Sequence, residues 1–328
     1  MNKSTRLICL LLAAAFVLSL PLILPSGAML DSEKQRLLEQ MPDEGASLLD
    51  WLLPVARAEN HFEPLPMDFS PGRAPDKAAF TAQGYQDDSI TLKLETLEQE
   101  GVVWRVARIQ VSDPSQLRTA VAGKPGSSRV ALISSMAEKN NAIIAINANY
   151  LSNDPVKTSF EYRMGEKVRA KYNRVKDLLI TDEQGDLHVF VQSKADEVQA
   201  FIDSGRQIIN AFTFGPALVK DSQLLELNKD YGYNPKGREP RMAIGQLDKL
   251  SYVLVLAEGR TKDSQGVTHE QLAAFMHELG CTQAFNFDGG NSATMVYNGD
   301  YYQQKTRGNE RAQSDMLYFA TLLDSAGQ

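Results

Sequence analysis

Phe285-Asn286-Phe287-Asp288-Gly289-Gly290-Asn291-Ser292-Ala293-Thr294-Met295 is the stretch on which the fold turns. Gln283 to Phe287 reads as a short buried strand, and the chain then breaks at Asp288-Gly289-Gly290. Paired glycines take positive φ and leave room for a ligand or a second backbone to approach. Asp288 therefore stands where a strand ends, the place from which α/β sheets present their chemistry. A tight turn whose aspartate caps its own backbone would use the same residues. The company this turn keeps elsewhere in the chain separates the two readings.

Upstream, Thr268 and Gln271 form a T-x-x-Q capping box, Leu272, Phe275, Met276 and Leu279 make an apolar stripe, and Gly280 stops the helix. Before it lies the apolar run Val253 to Ala257, so Val253 to Phe287 has the length of a βαβ unit with a right-handed crossover. Both strands are short and continuously apolar, which predicts central positions in a sheet. Further out, Ala142 to Ile146 runs as a strand into Asn147-Ala148-Asn149-Tyr150, and Arg241 opens the strand Met242 to Gly245. Phe212 to Val219 is interrupted by Gly215-Pro216, which suits a sheet edge or a bend. Val102, Trp104 and Val106 alternate with less apolar neighbours, and a phase shift at Ile109 suggests a bulge. Ser127 or Ser128 can cap a helix carrying Leu132, Ile133 and Met136. Leu178 to Ile180 and Leu187 to Val191 read as a hairpin. The predicted class is mixed α/β (α+β): a single domain over 80–328, with a mixed β-sheet packed by helices.

Composition narrows the function. With 328 residues, 43% of them hydrophobic, the chain can bury a full core, and its net charge of −7 argues against a nucleic-acid partner. There are two cysteines; Cys281 stands alone in the predicted domain and reads as a small core residue. Lys3 and Arg6 precede the apolar run Leu7 to Leu24, the pattern of an export signal or an uncleaved anchor over 1–28. Residues 29–79, dense in proline towards their end, read as a linker. The predicted location is periplasmic or extracellular, with a membrane tether through 7–24 as the alternative to a released domain. A basic stretch (Arg163, Lys167, Arg169, Lys171, Arg174, Lys176) suits an anionic ligand, or a solvated face paired with Glu161 and Glu166.

Several strands end in polar residues: Asn147 and Asn149, Glu258 and Arg260, and Asp288, with Arg241 opening another. Together they look like the lining of one pocket. Zinc spacing, a Gly-x-Gly-x-x-Gly run and a Walker loop are missing from the sequence, so no cofactor or resident metal is predicted. A calcium or magnesium ion on Asp288 with Asn286 or Asn149 is the minor alternative. His269 and His277 read as surface residues of one helix, and Ser292 has no histidine base nearby in sequence.

These residues resemble the phosphodiester glycosidase family over Val103 to Leu322. The likeness rests on Ile146-Asn147-Ala148-Asn149-Tyr150, Gly215-Pro216-Ala217-Leu218, Arg241-Met242-Ala243-Ile244-Gly245, Glu258-Gly259-Arg260, the Thr268 to Gly280 helix, Asn286 to Ser292, and Arg311. Asn291 replaces the usual Gly or Ser, and Leu151 replaces a common second aromatic; both departures bear on the sugar. The resemblance implies an exported hydrolase of sugar-1-phosphodiesters, with a glycan or small sugar phosphodiester as partner. It implies that Asp288, Glu258 and Arg241 are catalytic: two carboxylates for an oxocarbenium-like centre and an arginine for the phosphate. Asn147, Asn149, Tyr150, Arg260, Gly289, Gly290, Asn291, Ser292 and Arg311 would bind substrate. A non-catalytic module for anionic glycans, or a structural envelope protein, would show the same surface.

Overall fold

Strand Gln283–Phe287 pairs on one side with Arg241–Asp248 and on the other with Ala217–Lys220, deep inside a nine-stranded sheet. The computed structural model describes residues 72–148, 160–171, 176–192, 195–304 and 310–322. The predicted leader, the linker up to residue 71, Asn149, Tyr150 and Arg174 lie outside the described residues. Among the described residues no helix is long and apolar enough to cross a membrane.

Alternation explains the architecture. Phe285 and Phe287, Met242 and Ile244, and Leu254 and Leu256 face the main core, which the nine-stranded sheet shares with two five-stranded sheets. Ala284, Ala243, Val253, Val255 and Ala257 face the other way, onto Leu272, Ala273 and Met276 of the helix His269–Glu278. The central strands are apolar throughout because both of their faces are covered. Gly245 lies under that helix, where a Cβ would come 2.8 Å from the Met276 methyl and strike Cys281. Cys281 is a core residue, and burial pushes its thiol up to about 12.

The fold is α+β with three α-helices in the described residues, and the two predicted strands are central. The helix 269–278 begins at the Thr268/Gln271 capping box. Strands Ser251–Ala257 and Gln283–Phe287 run parallel to each other but do not pair. Arg241–Asp248 lies between them, antiparallel to both, so every hydrogen-bonded ladder of this sheet is antiparallel. Sequence order conceals this insertion, because the intervening strand comes from the hairpin before the helix. Gly215-Pro216 is a bend: Ile208–Phe214 belongs to a five-stranded sheet and Ala217–Lys220 to the nine-stranded one, so the proline falls between ladders.

Two local expectations fail for physical reasons. Val102–Val111 keeps an unbroken register with both neighbours, so there is no bulge at Ile109; the phase shift reflects burial on both faces. The helix Ile133–Lys139 starts at Leu132 and not at a serine, because Ala131 is held in an extended bridge to Gln313. In the basic stretch, the two described arginines pair with Glu161, as the second of its two readings had it. Arg163 is buried against Asp315 and Glu161, Arg169 pairs with Glu161, and Lys176 lies over the Tyr231 and Tyr233 rings.

Candidate active site

Five segments meet at one end of the nine-stranded sheet. They are the C-terminal ends of 251–257 and 283–287, the starts of 241–248 and 217–220, and the end of Ile144–Asn147 from a neighbouring sheet. Asn147 ties the last to the others. Its Nδ2 donates to the Asp288 carbonyl (2.7 Å) and its Oδ1 accepts from the Thr294 N–H (2.9 Å). The residue is fully buried, so it clamps the turn from inside instead of facing a substrate, as the sequence had suggested. From the opposite side, the Gly290 N–H donates to the Pro240 carbonyl (2.8 Å), and a Cβ on Gly289 would come 2.5 Å from that oxygen. Asn286, the proposed ion co-ligand, donates its Nδ2 to the Gly215 carbonyl (2.8 Å).

The Asp288 carboxyl projects from this clamped turn, half-buried. Burial pushes its pKa above the ordinary aspartate value, while the Ser292 hydroxyl, Arg311, the Gly289 N–H and Arg241 pull it partly back. Ser292 is itself buried and accepts a hydrogen bond from Arg311 NH1 (3.1 Å), so it links carboxylate to guanidinium. On the other flank Arg260 donates to Asn291 Oδ1 (3.3 Å) and forms an ion pair with Glu239. Its guanidinium lies 3.6 Å from where a Cβ of Gly290 would stand. Arg260 has φ +57°, a left-handed conformation costing roughly 1–3 kcal/mol for a side-chain residue. The constraint comes from close backbone packing, since a Cβ on Gly259 would meet Gly266 Cα at 2.7 Å and Pro240 N at 2.8 Å.

Two of the predicted catalytic residues sit differently from expectation. Arg241 has all five N–H donors committed: Nε to the Val267 carbonyl, NH1 to the Tyr233 carbonyl and His269, NH2 to the Asn234 and Gly237 carbonyls. Only 3% of the residue is exposed. It has no donor left for a phosphate and instead holds the 233–240 loop against the sheet. Glu258 lies at the same sheet end as Asp288 but two strands away, about 10 Å between backbones. Its Oε1 accepts from Arg105 Nε (2.7 Å) and the Gln304 N–H (2.9 Å), and 2% of the residue is exposed. The sequence paired Glu258 with Asp288; the folded chain pairs it with Arg105.

Sequence reasoning missed Glu239, Arg105 and Gln304. Glu239 precedes Pro240-Arg241 and looks like an ordinary surface charge until the 258–260 turn packs over it. It also missed the burial of His269, which is 1% exposed. The ring reaches Arg241 because His269 opens the helix just above the sheet end, and its Nε2 accepts from NH1 (2.8 Å). Among the described residues no group of His, Cys, Asp or Glu has the arrangement of a metal site.

Burial and the Arg241 charge push the His269 ring down to about 3. The unfolded chain, near 6.5, takes the proton first, so the stability His269 contributes is whole above that pH and is lost as pH falls towards 3. Urea unfolding between pH 6 and 4 should therefore show an extra loss of about 1.4 kcal/mol per pH unit. His269→Gln, which keeps an acceptor for Arg241, should remove that slope; equal slopes would refute the assignment.

A sequence model of the phosphodiester glycosidase family matches residues 140–320, just over half of the chain and all of the segments that build this site. The chain belongs to the phosphodiester glycosidase family. Its fold is similar to the catalytic domain of zebrafish N-acetylglucosamine-1-phosphodiester α-N-acetylglucosaminidase, solved in a form auto-inhibited by its pro-peptide. That match has TM-score 0.58 and 18% identity, covering 74% of this chain and 87% of that one. It is also similar to a hypothetical protein from Synechocystis (TM-score 0.53, 15% identity, 71% and 62% covered). Among curated proteins, the SPbeta prophage-derived uncharacterized protein YomE of Bacillus subtilis strain 168 is 28% identical over 187 residues. That is 56% of this chain and 28% of YomE, so the chain spans under a third of that relative's length. The family model places the chain among the phosphodiester glycosidases, and the two structural likenesses bear on its fold.

Proposed function

We propose that this phosphodiester glycosidase hydrolyses sugar-1-phosphodiesters, in envelope or extracellular glycans, with Asp288 and the two flanking arginines as its working groups. The observation that carries this is the pairing of a half-buried carboxylate with two solvent-exposed arginines, each tied to the same Gly-Gly turn: Arg311 through Ser292, Arg260 through Asn291. Cleaving the C1–O bond develops positive charge on the sugar and negative charge on the departing phosphate. Asp288 stands for the first task as nucleophile or electrostatic partner. Arg260 and Arg311 stand for the second, because a guanidinium fork matches phosphate oxygens. A phosphate departs as a stable anion, so a strong general acid is not required. Glu258, sealed by Arg105, holds the neighbouring strand end in shape.

Arg260→Gln and Arg311→Gln should each raise KM for a sugar-1-phosphodiester by about 10-fold or more, the value of a charged hydrogen bond lost, with little change in Tm. A panel of sugar-1-phosphodiesters beside uncharged aryl glycosides of the same sugars tests this. Turnover of the uncharged glycosides alone, indifferent to either arginine, would overturn the reading. Export is proposed from the Lys3/Arg6 pair ahead of Leu7–Leu24. Fractionation of the full chain checks it, and recovery of the intact protein in the cytoplasm would count against it.

A further inference from the structure

Glu239 is a carboxylate built into a site whose business is to receive an anion. Its Oε1 accepts from Asn234 Nδ2 (2.9 Å), and Gly237 has no Cβ to collide with that amide. Its backbone exchanges two hydrogen bonds with Val267 (3.1 and 3.0 Å), against which Gly266 packs without a Cβ. Its Oε2 is buried and meets Arg260 as an ion pair that lacks the direction of a hydrogen bond. The carboxylate is thus fixed on every side except the one where Arg260, with 42% of its side chain exposed, can turn to another anion.

Among the described residues, the charged groups coupled to the turn are three guanidinium groups (Arg241, Arg260, Arg311) against two carboxylates (Asp288, Glu239). The surplus among these groups is a single positive charge. A phosphodiester carries one negative charge; a phosphomonoester above its second pKa of about 6 carries two. We propose that Glu239 is a specificity determinant that fits the site to monoanionic phosphodiesters and disfavours dianionic phosphomonoesters. The proposal rests on the phosphodiester function proposed above and adds a consequence for turnover. Hydrolysis breaks the C1–O bond, places the water oxygen on C1, and releases a phosphomonoester that loses its second proton to solvent. The product therefore gains the charge that Glu239 repels, and it leaves.

Methyl phosphate and dimethyl phosphate, titrated at pH 8 and followed by phosphorus NMR, test this directly. Glu239→Gln keeps the size and the Asn234 contact but removes the charge. It should tighten methyl phosphate about tenfold, as expected for one charge a few ångströms away in a partly screened site, and change dimethyl phosphate less than threefold. Arg260→Gln should weaken both ligands, and Tm measured on each variant separates misfolding from altered recognition. An unchanged ratio in folded Glu239→Gln, with phosphodiester turnover intact in the wild type, overturns the role of Glu239 and leaves the function standing. If neither ester binds folded wild type and no phosphodiester is turned over, the function and the proposal fall together.

Discussion

Turnover of a sugar-1-phosphodiester is expected to fall by about 10³-fold or more in Asp288→Asn, while the fold persists. The substitution keeps the side chain's size and removes the negative charge opposite the developing sugar cation. The turn does not depend on that charge. It is held by the Asn147 clamp on the Asp288 carbonyl, by the Gly290 N–H on Pro240, and by the Ser292 N–H on Gly289 (3.0 Å), all of them main-chain contacts of the turn. Stability should therefore move by no more than about 1–2 kcal/mol, and the raised pKa of the wild-type carboxyl means that part of any change is a gain. In the wild type, kcat/KM should rise with pH through an acid limb above the ordinary aspartate value near 3.9, because burial favours the protonated form. Melting and turnover measured on one Asp288→Asn preparation decide the matter. Full specific activity in the folded fraction would make Asp288 a turn former only, and activity lost to a chelator and restored by calcium or magnesium would make it an ion ligand.

Arg241→Lys should show the opposite pattern. Lysine offers three donors where arginine has five, and it cannot spread them over the Val267, Tyr233, Asn234 and Gly237 carbonyls and His269 Nε2 together. At least two buried acceptors lose their partner, at about 1–3 kcal/mol each. A stability loss of about 3 kcal/mol or more is expected, visible as a clear fall in Tm, with KM for the phosphodiester nearly unchanged in whatever remains folded. Wild-type Tm with a raised KM would return Arg241 to the phosphate. Burial already draws its guanidinium down to about 10, which reflects how completely its solvent has been replaced by carbonyls.

The parts of this protein that were legible in its sequence are those set by local rules. The Thr268/Gln271 capping box located its helix, continuous apolar runs located the two central strands, and the Gly215-Pro216 pair marked a change of sheet. The place of Asp288 at a strand end was legible because a buried apolar run followed by two glycines marks an abrupt turn. The parts that were not legible depend on what tertiary packing brings alongside. Arg241 and Arg260 look equivalent in sequence, each at a strand terminus beside glycine or proline. What distinguishes them is that the 233–237 carbonyls enclose one, while the other is left with an ion pair and one long hydrogen bond. The pairing of Glu258 was similarly hidden because Arg105 lies 153 residues away and faces it across a strand pair. His269 was read from helix spacing alone, which does not reveal that the first turn of the helix presses on the sheet.

The strand Arg241–Asp248 between 251–257 and 283–287 also has a bearing on how the molecule is made. As the chain leaves the ribosome, the hairpin 241–257 exists before its second neighbour has been synthesised. Until residues 283–287 emerge, 241–248 presents an apolar, unpaired edge in the middle of the future sheet. The late strand must insert between two earlier ones, and Asn147 must reach partners 141 and 147 residues further along the chain. Contacts of that separation close slowly. The Asp288-Gly289-Gly290 turn is therefore among the last parts of the protein to assemble, and nascent chains that stop short of it carry the exposed strand edge.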